Sequence, residues 1–133
     1  MKLTTNFKLS EFTHNRWATH DQQQRINDSV TPEIKMNLLR LAANLQVLRD
    51  HVQQPVHINI AFRPKWWELL KGRKGTSQHT LGKAADIRVD GISPHELSMI
   101  IEDLIQTGQM DQGGLSAYPT FVHYDIRGVR ARW

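Results

Sequence analysis

Cysteine is absent from the 133 residues. Disulfides, thiol nucleophiles, iron–sulfur clusters and thiolate zinc sites are thereby excluded, so any metal must be held by imidazole and carboxylate. No run of 18 or more apolar residues occurs, which excludes a membrane-spanning helix. The opening stretch, Met1–Lys8, has neither an apolar core nor a small-residue cleavage site. The chain therefore reads as one made in the cytoplasm without a secretory signal. It has no internal repeat and no linker, and its one low-complexity scrap is Gln22-Gln23-Gln24. A clustered basic helix and an aromatic RNA-binding motif are also missing, so nucleic acid is not expected as a partner. This length suits one domain, residues 1–133, read here as a monomer.

What is present is a modest basic excess and many histidines. Seventeen Lys and Arg stand against 13 Asp and Glu, a net charge of +4. That balance permits loose attraction to an acidic polymer. The densest basic group, Lys71-Gly72-Arg73-Lys74, reads as a solvated loop. Seven histidines are many for a chain of this size, and two of them lie in patterns that matter.

Periodicity gives the elements. Residues 13–30 are polar and aperiodic and predict a long surface loop, with Ser10 placed to cap a short turn before it. Thr31 suits an N-cap and Pro32 the first helical position. Ile34, Leu38, Leu41, Leu45 and Leu48 then form one apolar stripe, ending near His51 before Pro55. Residues 56–62 alternate as a strand, and Ala85, Ile87 and Val89 mark a second. Residues 64–78 predict an irregular lobe with one helical turn, where Trp66 and Trp67 either pack the lobe or wall a cleft. Ser93-Pro94-His95-Glu96 fits a capping box, Leu97 to Ile105 gives an apolar helix face, and Gly108 is a natural stop. The end of the chain predicts a hairpin turning at Pro119-Thr120. The fold class is α+β, a small, mainly antiparallel sheet packed against helices with a cleft on the sheet's open face.

Three residues carry the chemistry. Asp86 interrupts the apolar run Ala84-Ala85-Asp86-Ile87, and a carboxylate so placed is costly unless paired or bound to a cation. His123 alternates with Asp125 and Arg127 on one strand face. His79 follows Gly75-Thr76-Ser77-Gln78, and Gly82 allows the chain to turn from it toward Asp86. Two imidazoles and one carboxylate are the donors of a catalytic zinc site with a fourth position for water. The same three side chains also fit a buried His–Asp pair that only holds the sheet together. His14, His20, His51, His57 and His95 read as non-ligands, and Trp133 is expected to dock on the body of the protein.

The segment Ser77-Gln78-His79-Thr80-Leu81-Gly82-Lys83-Ala84-Ala85-Asp86 resembles the Ser-x-His-x-x-Gly-x-Ala-x-Asp signature of the D-alanyl-D-alanine zinc carboxypeptidases and their peptidoglycan-cutting relatives. Phe121-Val122-His123-Tyr124-Asp125, running on to Arg130-Ala131-Arg132-Trp133, resembles the C-terminal His-x-Asp block of one branch. Ile60-Ala61-Phe62-Arg63 is similar to that branch's Ser-Gly-Tyr-Arg, and Leu9-Ser10-Glu11-Phe12 to the usual start of these domains. The resemblance implies zinc held by His79, Asp86 and His123. It also implies Arg63 at the substrate or the developing oxyanion, and Ser77 lining the site. Its implied activity is hydrolysis of peptide bonds in peptidoglycan stems or cross-links, by a carboxypeptidase or an endopeptidase. A phage lysis or virion enzyme would reconcile that wall substrate with the missing export signal. Better-known members carry an acid three residues before the last histidine as general base, where this chain has Thr120. Asp125 is the replacement candidate; its alternative is a partner to Arg127 or Arg63, or an acceptor that orients a ligand histidine. Tyr118 and Tyr124 are candidates for oxyanion or proton duties, with Tyr124 expected to face the core. Thr120 also keeps a second reading open, a zinc-stabilised cell-wall-binding or structural module without turnover.

Overall fold

The computed structural model describes residues 1–133. Its helices are α1 (Leu9–Thr13), α2 (His20–Asp28), α3 (Pro32–Val52), α4 (Lys65–Leu70) and α5 (Pro94–Gln106). Its strands are β1 (His57–Ile60), β2 (Ala84–Arg88), β3 (Gly114–Ala117), β4 (Val122–Asp125) and β5 (Ala131–Arg132), and a 3-10 turn spans Gln78–Leu81. The strands form one sheet in the order β1-β2-β4-β3-β5. Its pairings are antiparallel except for β3 with β5. This is the expected α+β architecture.

Local chemistry sets the helix ends. The Thr31 hydroxyl accepts the Ile34 N–H at 3.2 Å and the Ser93 hydroxyl accepts the Glu96 N–H at 3.1 Å, so each helix starts on a side-chain cap. Leu38, Leu41, Leu45 and Leu48 of α3 are fully buried. They join Leu97 and Ile101 of α5 and Ala85, Ile87, Val122 and Tyr124 of the sheet in one core. The β2–β4 register pairs Ala85 with Tyr124 and Ile87 with Val122 on the core side. The same register sets Asp86 opposite His123, and strand alternation turns both to the other face.

Three expectations are corrected. Residues 13–30 are not one loop, because α2 occupies their second half. Its polar sequence contributes a single fully buried residue, Ile26, too few to show a period. What starts it is a capping box, with Thr19 accepting from Gln22 N–H and the Gln22 side chain accepting from Thr19 N–H. The first strand is shorter than its alternation predicts. Its pairing with β2 shifts register between Ile58 and Ile60, and Phe62 N–H then turns to Phe12 O at 2.8 Å. The final residues add a parallel strand, β5, which two residues of sequence do not announce. Elsewhere the hairpin turns where expected, with Tyr118 N–H donating to Phe121 O at 2.8 Å. No helix is long and apolar enough to cross a membrane.

Tyr124 faces the core, where its hydroxyl donates to Asp111 O at 2.8 Å and lies 3.2 Å from Asn44 Oδ1. Burial pushes the phenol's pKa far up, with the charges of Asp111 and Asp125 adding to the effect. The group therefore stays protonated and serves as a core donor. Tyr124→Phe should cost about 1–2 kcal/mol of stability by removing a buried hydrogen bond. Urea unfolding should show the midpoint fall while the slope is kept.

Candidate metal centre

The site is assembled from two central strands and one turn. Asp86 comes from β2, His123 from β4, and His79 from the 3-10 turn that precedes β2. One ligating atom from each lies within 4.8 Å of the others. The Asp86 Oδ1 atom is 3.4 Å from His79 Nε2 and 3.2 Å from His123 Nδ1. His79 and His123 are buried, and Asp86 is nearly so. The imidazole rings meet edge to face, with centroids 5.3 Å apart.

The remaining ring nitrogens fix the tautomers. His79 Nδ1 is 2.7 Å from the Ala61 carbonyl, which can only accept, so Nδ1 carries the proton and Nε2 offers its lone pair. His123 Nε2 is 2.7 Å from Asp125 Oδ2. Burial opposes ionisation of Asp125, but hydrogen bonds from His123, Arg127 and the backbone N–H groups of Gly114 and Arg127 outweigh it and hold the carboxyl well below the usual range. His123 therefore donates through Nε2 and leaves Nδ1 facing Asp86. Burial likewise opposes charge on Asp86, and the two histidines overcome it, so this carboxyl also sits well below the ordinary range. Burial pulls the His123 pKa down, yet Asp125 and Asp86 together raise it.

These donors fit a zinc ion. Nitrogen and oxygen ligands about 2.0–2.1 Å from a tetrahedral zinc stand about 3.3–3.4 Å from one another. The two imidazole–carboxylate separations match that edge. Both ligand imidazoles are oriented by an acceptor on the far nitrogen, the arrangement that keeps a metal-binding lone pair aimed inward. Without thiolates, an imidazole and carboxylate set of this kind suits zinc.

Asp125 lies behind His123, not in the cleft. It is completely buried, and its two oxygens engage His123, the Arg127 guanidinium at 2.7–3.2 Å and the Gly114 N–H at 2.8 Å. Its contacts are those of the alternative reading, a partner to Arg127 and an acceptor that orients His123. Gly113 and Gly114 make this possible. A Cβ on Gly114 would run into the Asp125 carboxylate, and one on Gly113 into the Asp125 backbone.

The cleft above the donors is about 390 Å³ and is lined by Arg63, Ser77, Tyr118, Arg127 and Trp133 beside the three metal-site residues and others. Arg63, Ser77 and Tyr118 therefore stand where a substrate would meet them. Arg63 keeps both of its expected aspects, since it faces the cleft and its Nε also stands 3.5 Å from Glu68 Oε2. Asp86 is the one carboxylate in the lining, and Thr120 lies outside it. Trp67 packs into the core and Trp66 donates to the Ser29 hydroxyl at 2.9 Å, and neither lines this cleft.

Sequence reasoning missed two participants. Glu68 is a buried carboxylate beneath the cleft that accepts from the Ser77 hydroxyl at 2.7 Å. Its signal was an acid set within Trp66-Trp67-Glu68-Leu69-Leu70, five residues after Arg63. Trp133 does dock, but over the site. Its ring centroid is 5.0 Å from that of His123, and its Nε1–H donates to the Tyr118 hydroxyl at 2.7 Å.

Asp125→Asn should weaken zinc binding by about 10–100-fold, the usual effect of removing an acceptor behind a ligand histidine. Competition against a chromogenic chelator measures this, and unchanged affinity would contradict the positioning role.

No curated protein matches the chain. The sequence profile described as Peptidase M15 matches residues 5–125, a span that includes His79, Asp86 and His123. With nearly the whole chain matched and a His-Asp-His group able to hold a metal at its centre, the protein belongs to the peptidase M15 family.

Proposed function

We propose that the protein is a zinc-dependent peptidase that hydrolyses peptide bonds in the stem or cross-link peptides of bacterial peptidoglycan. The observation that carries this is the convergence of His79 Nε2 and His123 Nδ1 on Asp86 Oδ1, at 3.4 and 3.2 Å, beside an open cleft. A zinc ion bound there would supply Lewis-acid polarisation of the scissile carbonyl and activation of water. The wall substrate rests on the resemblance of the Ser77–Asp86 block and the His123 block.

The protein's own residues prepare the cleft. Arg63 presents a guanidinium to the developing oxyanion; burial lowers its pKa, with Glu68 and Asp86 pulling the other way, and a guanidinium stays charged through such a shift. Tyr118 accepts the Trp133 indole N–H, which leaves its own O–H free to donate to a substrate oxygen. Ser77, held by Glu68, lines the same cleft. His123 is kept in its ligating tautomer by Asp125, and Asp125 in turn by Arg127.

A second reading has its own observation. The cleft holds no carboxylate beyond the ligand Asp86, so the usual acidic base is missing from its walls. A zinc-stabilised wall-binding module without turnover accounts for that.

One incubation separates the two. Zinc-loaded protein is mixed with purified peptidoglycan fragments and the products are weighed by mass spectrometry. Cleavage is expected, and His79→Ala should lower it by on the order of 10³-fold or more, since the metal supplies several kcal/mol of transition-state stabilisation. Release of single amino acids identifies a carboxypeptidase, and separation of cross-linked halves an endopeptidase. Equal cleavage by both proteins would overturn the reading, and zinc and wall binding without products would favour the module.

A further inference from the structure

The metal cleft does not end at its own walls. A second and larger cavity of about 820 Å³ adjoins it and shares Arg63, Asp86 and Phe121 with it. The floor of this trough includes Ile58, Ile60 and Trp67. Its charge is one-sided. Arg16, Arg63, Lys71, Arg73 and Arg88 all line it, and Asp86 is the single acid among the lining residues.

The cations are only partly neutralised from behind. Arg63 and Arg73 share the one buried carboxylate of Glu68, at 3.5 and 3.6 Å, and Arg88 pairs with Asp90 at 3.1 Å. Arg16 and Lys71 have no acidic partner within salt-bridge distance. Each rests on an indole, Arg16 at 4.5 Å from the Trp17 ring and Lys71 at 4.6 Å from the Trp67 ring. An aromatic face steadies a cation without cancelling its charge. Lys71 and Arg73 thus line this trough, although their sequence reads as a solvated loop. A concave, low-dielectric surface of one sign concentrates field lines and attracts ligands of the other.

We infer that the trough is an extended subsite holding a carboxylate-bearing segment of the peptide, with Arg16 and Lys71 as its acid-selecting residues. The inference rests on the peptidase reading and adds to it which part of the substrate is recognised away from the scissile bond. The apolar floor takes the aliphatic parts of such a segment, and the rim cations pair with its carboxylates. Recognition of this kind raises affinity and association rate while leaving the reacting atoms untouched.

The test is a binding titration with the full chain, with and without zinc, followed by fluorescence anisotropy. The probes are a labelled peptide of alternating alanine and glutamate and its glutamine counterpart. The acidic peptide should bind about ten-fold tighter or more, and the difference should shrink between about 20 and 300 mM NaCl. Arg16→Glu with Lys71→Glu, both at exposed positions, should abolish the difference. Lys2→Glu with Lys35→Glu, outside the trough, should preserve it. Equal binding of the two peptides, no binding of either, or equal loss in both double variants would overturn the inference. Acid-selective binding by a protein that cuts no peptidoglycan fragment would sink the peptidase reading alone. Cleavage without acid selectivity would sink the trough alone.

Discussion

The β2–β4 register is the constraint on which the site depends. Side chains alternate across a strand, so one setting of the register determines both what enters the core and what faces the cleft. Ala85 and Ile87 against Tyr124 and Val122 fill the core, and this obliges Asp86 and His123 to meet on the opposite side. A slip by one residue would bury a carboxylate and an imidazole among leucines and expose the residues that hold the sheet to α3 and α5. The core's preference for apolar groups and the site's need for a meeting of donors are therefore satisfied by the same pairing.

Behind that pairing lies a chain of charge. Arg127 holds Asp125, Asp125 holds His123, and His123 turns toward Asp86. Each group would be costly where it sits if left alone, because a buried charge without a partner loses its hydration with nothing in return. Linked, they form a row in which each partner stabilises the next. Gly113 and Gly114 let β3 come close enough for a backbone N–H to join the row. The aromatic pair Tyr118 and Trp133 closes one side of the cleft, and β5 holds Trp133 there by pairing alongside β3.

Much of this was legible in the sequence. The stripe from Ile34 to Leu48, the Thr31 and Ser93 caps and the alternation around Asp86 and His123 are short-range patterns, and short-range patterns survive without a structure. The three donors stood out because each broke an apolar rhythm or followed a turn-forming stretch. What could not be read depended on distance through space. Glu68 reaches Ser77 only because α4 folds under the turn, and Trp133 covers His123 only because β5 joins the sheet. Helix α2 escaped because its stability comes from a cap and one buried isoleucine rather than a repeating face. Asp125 was visible as a cleft-side acid, but only side-chain packing shows that its oxygens are already taken. The basic group around Lys71 looked like solvated loop because the second wall of the trough is supplied by residues 14–17, far away in sequence.

His79 differs from its two companions in what carries it. Asp86 and His123 belong to strands flanked on both sides by other strands, whereas His79 rides on a four-residue turn. That turn is moored to the segment after β1 by its Nδ1 bond to Ala61 and by the Arg63 N–H bond to its own carbonyl at 3.2 Å. The Asn37 side-chain amide holds the far end of the turn, donating to Leu81 O at 2.8 Å, so the pocket is built from sheet on one side and from a tethered turn on the other. The third donor thus owes its place to loop and side-chain hydrogen bonds, whereas the other two owe theirs to the ladder between neighbouring strands.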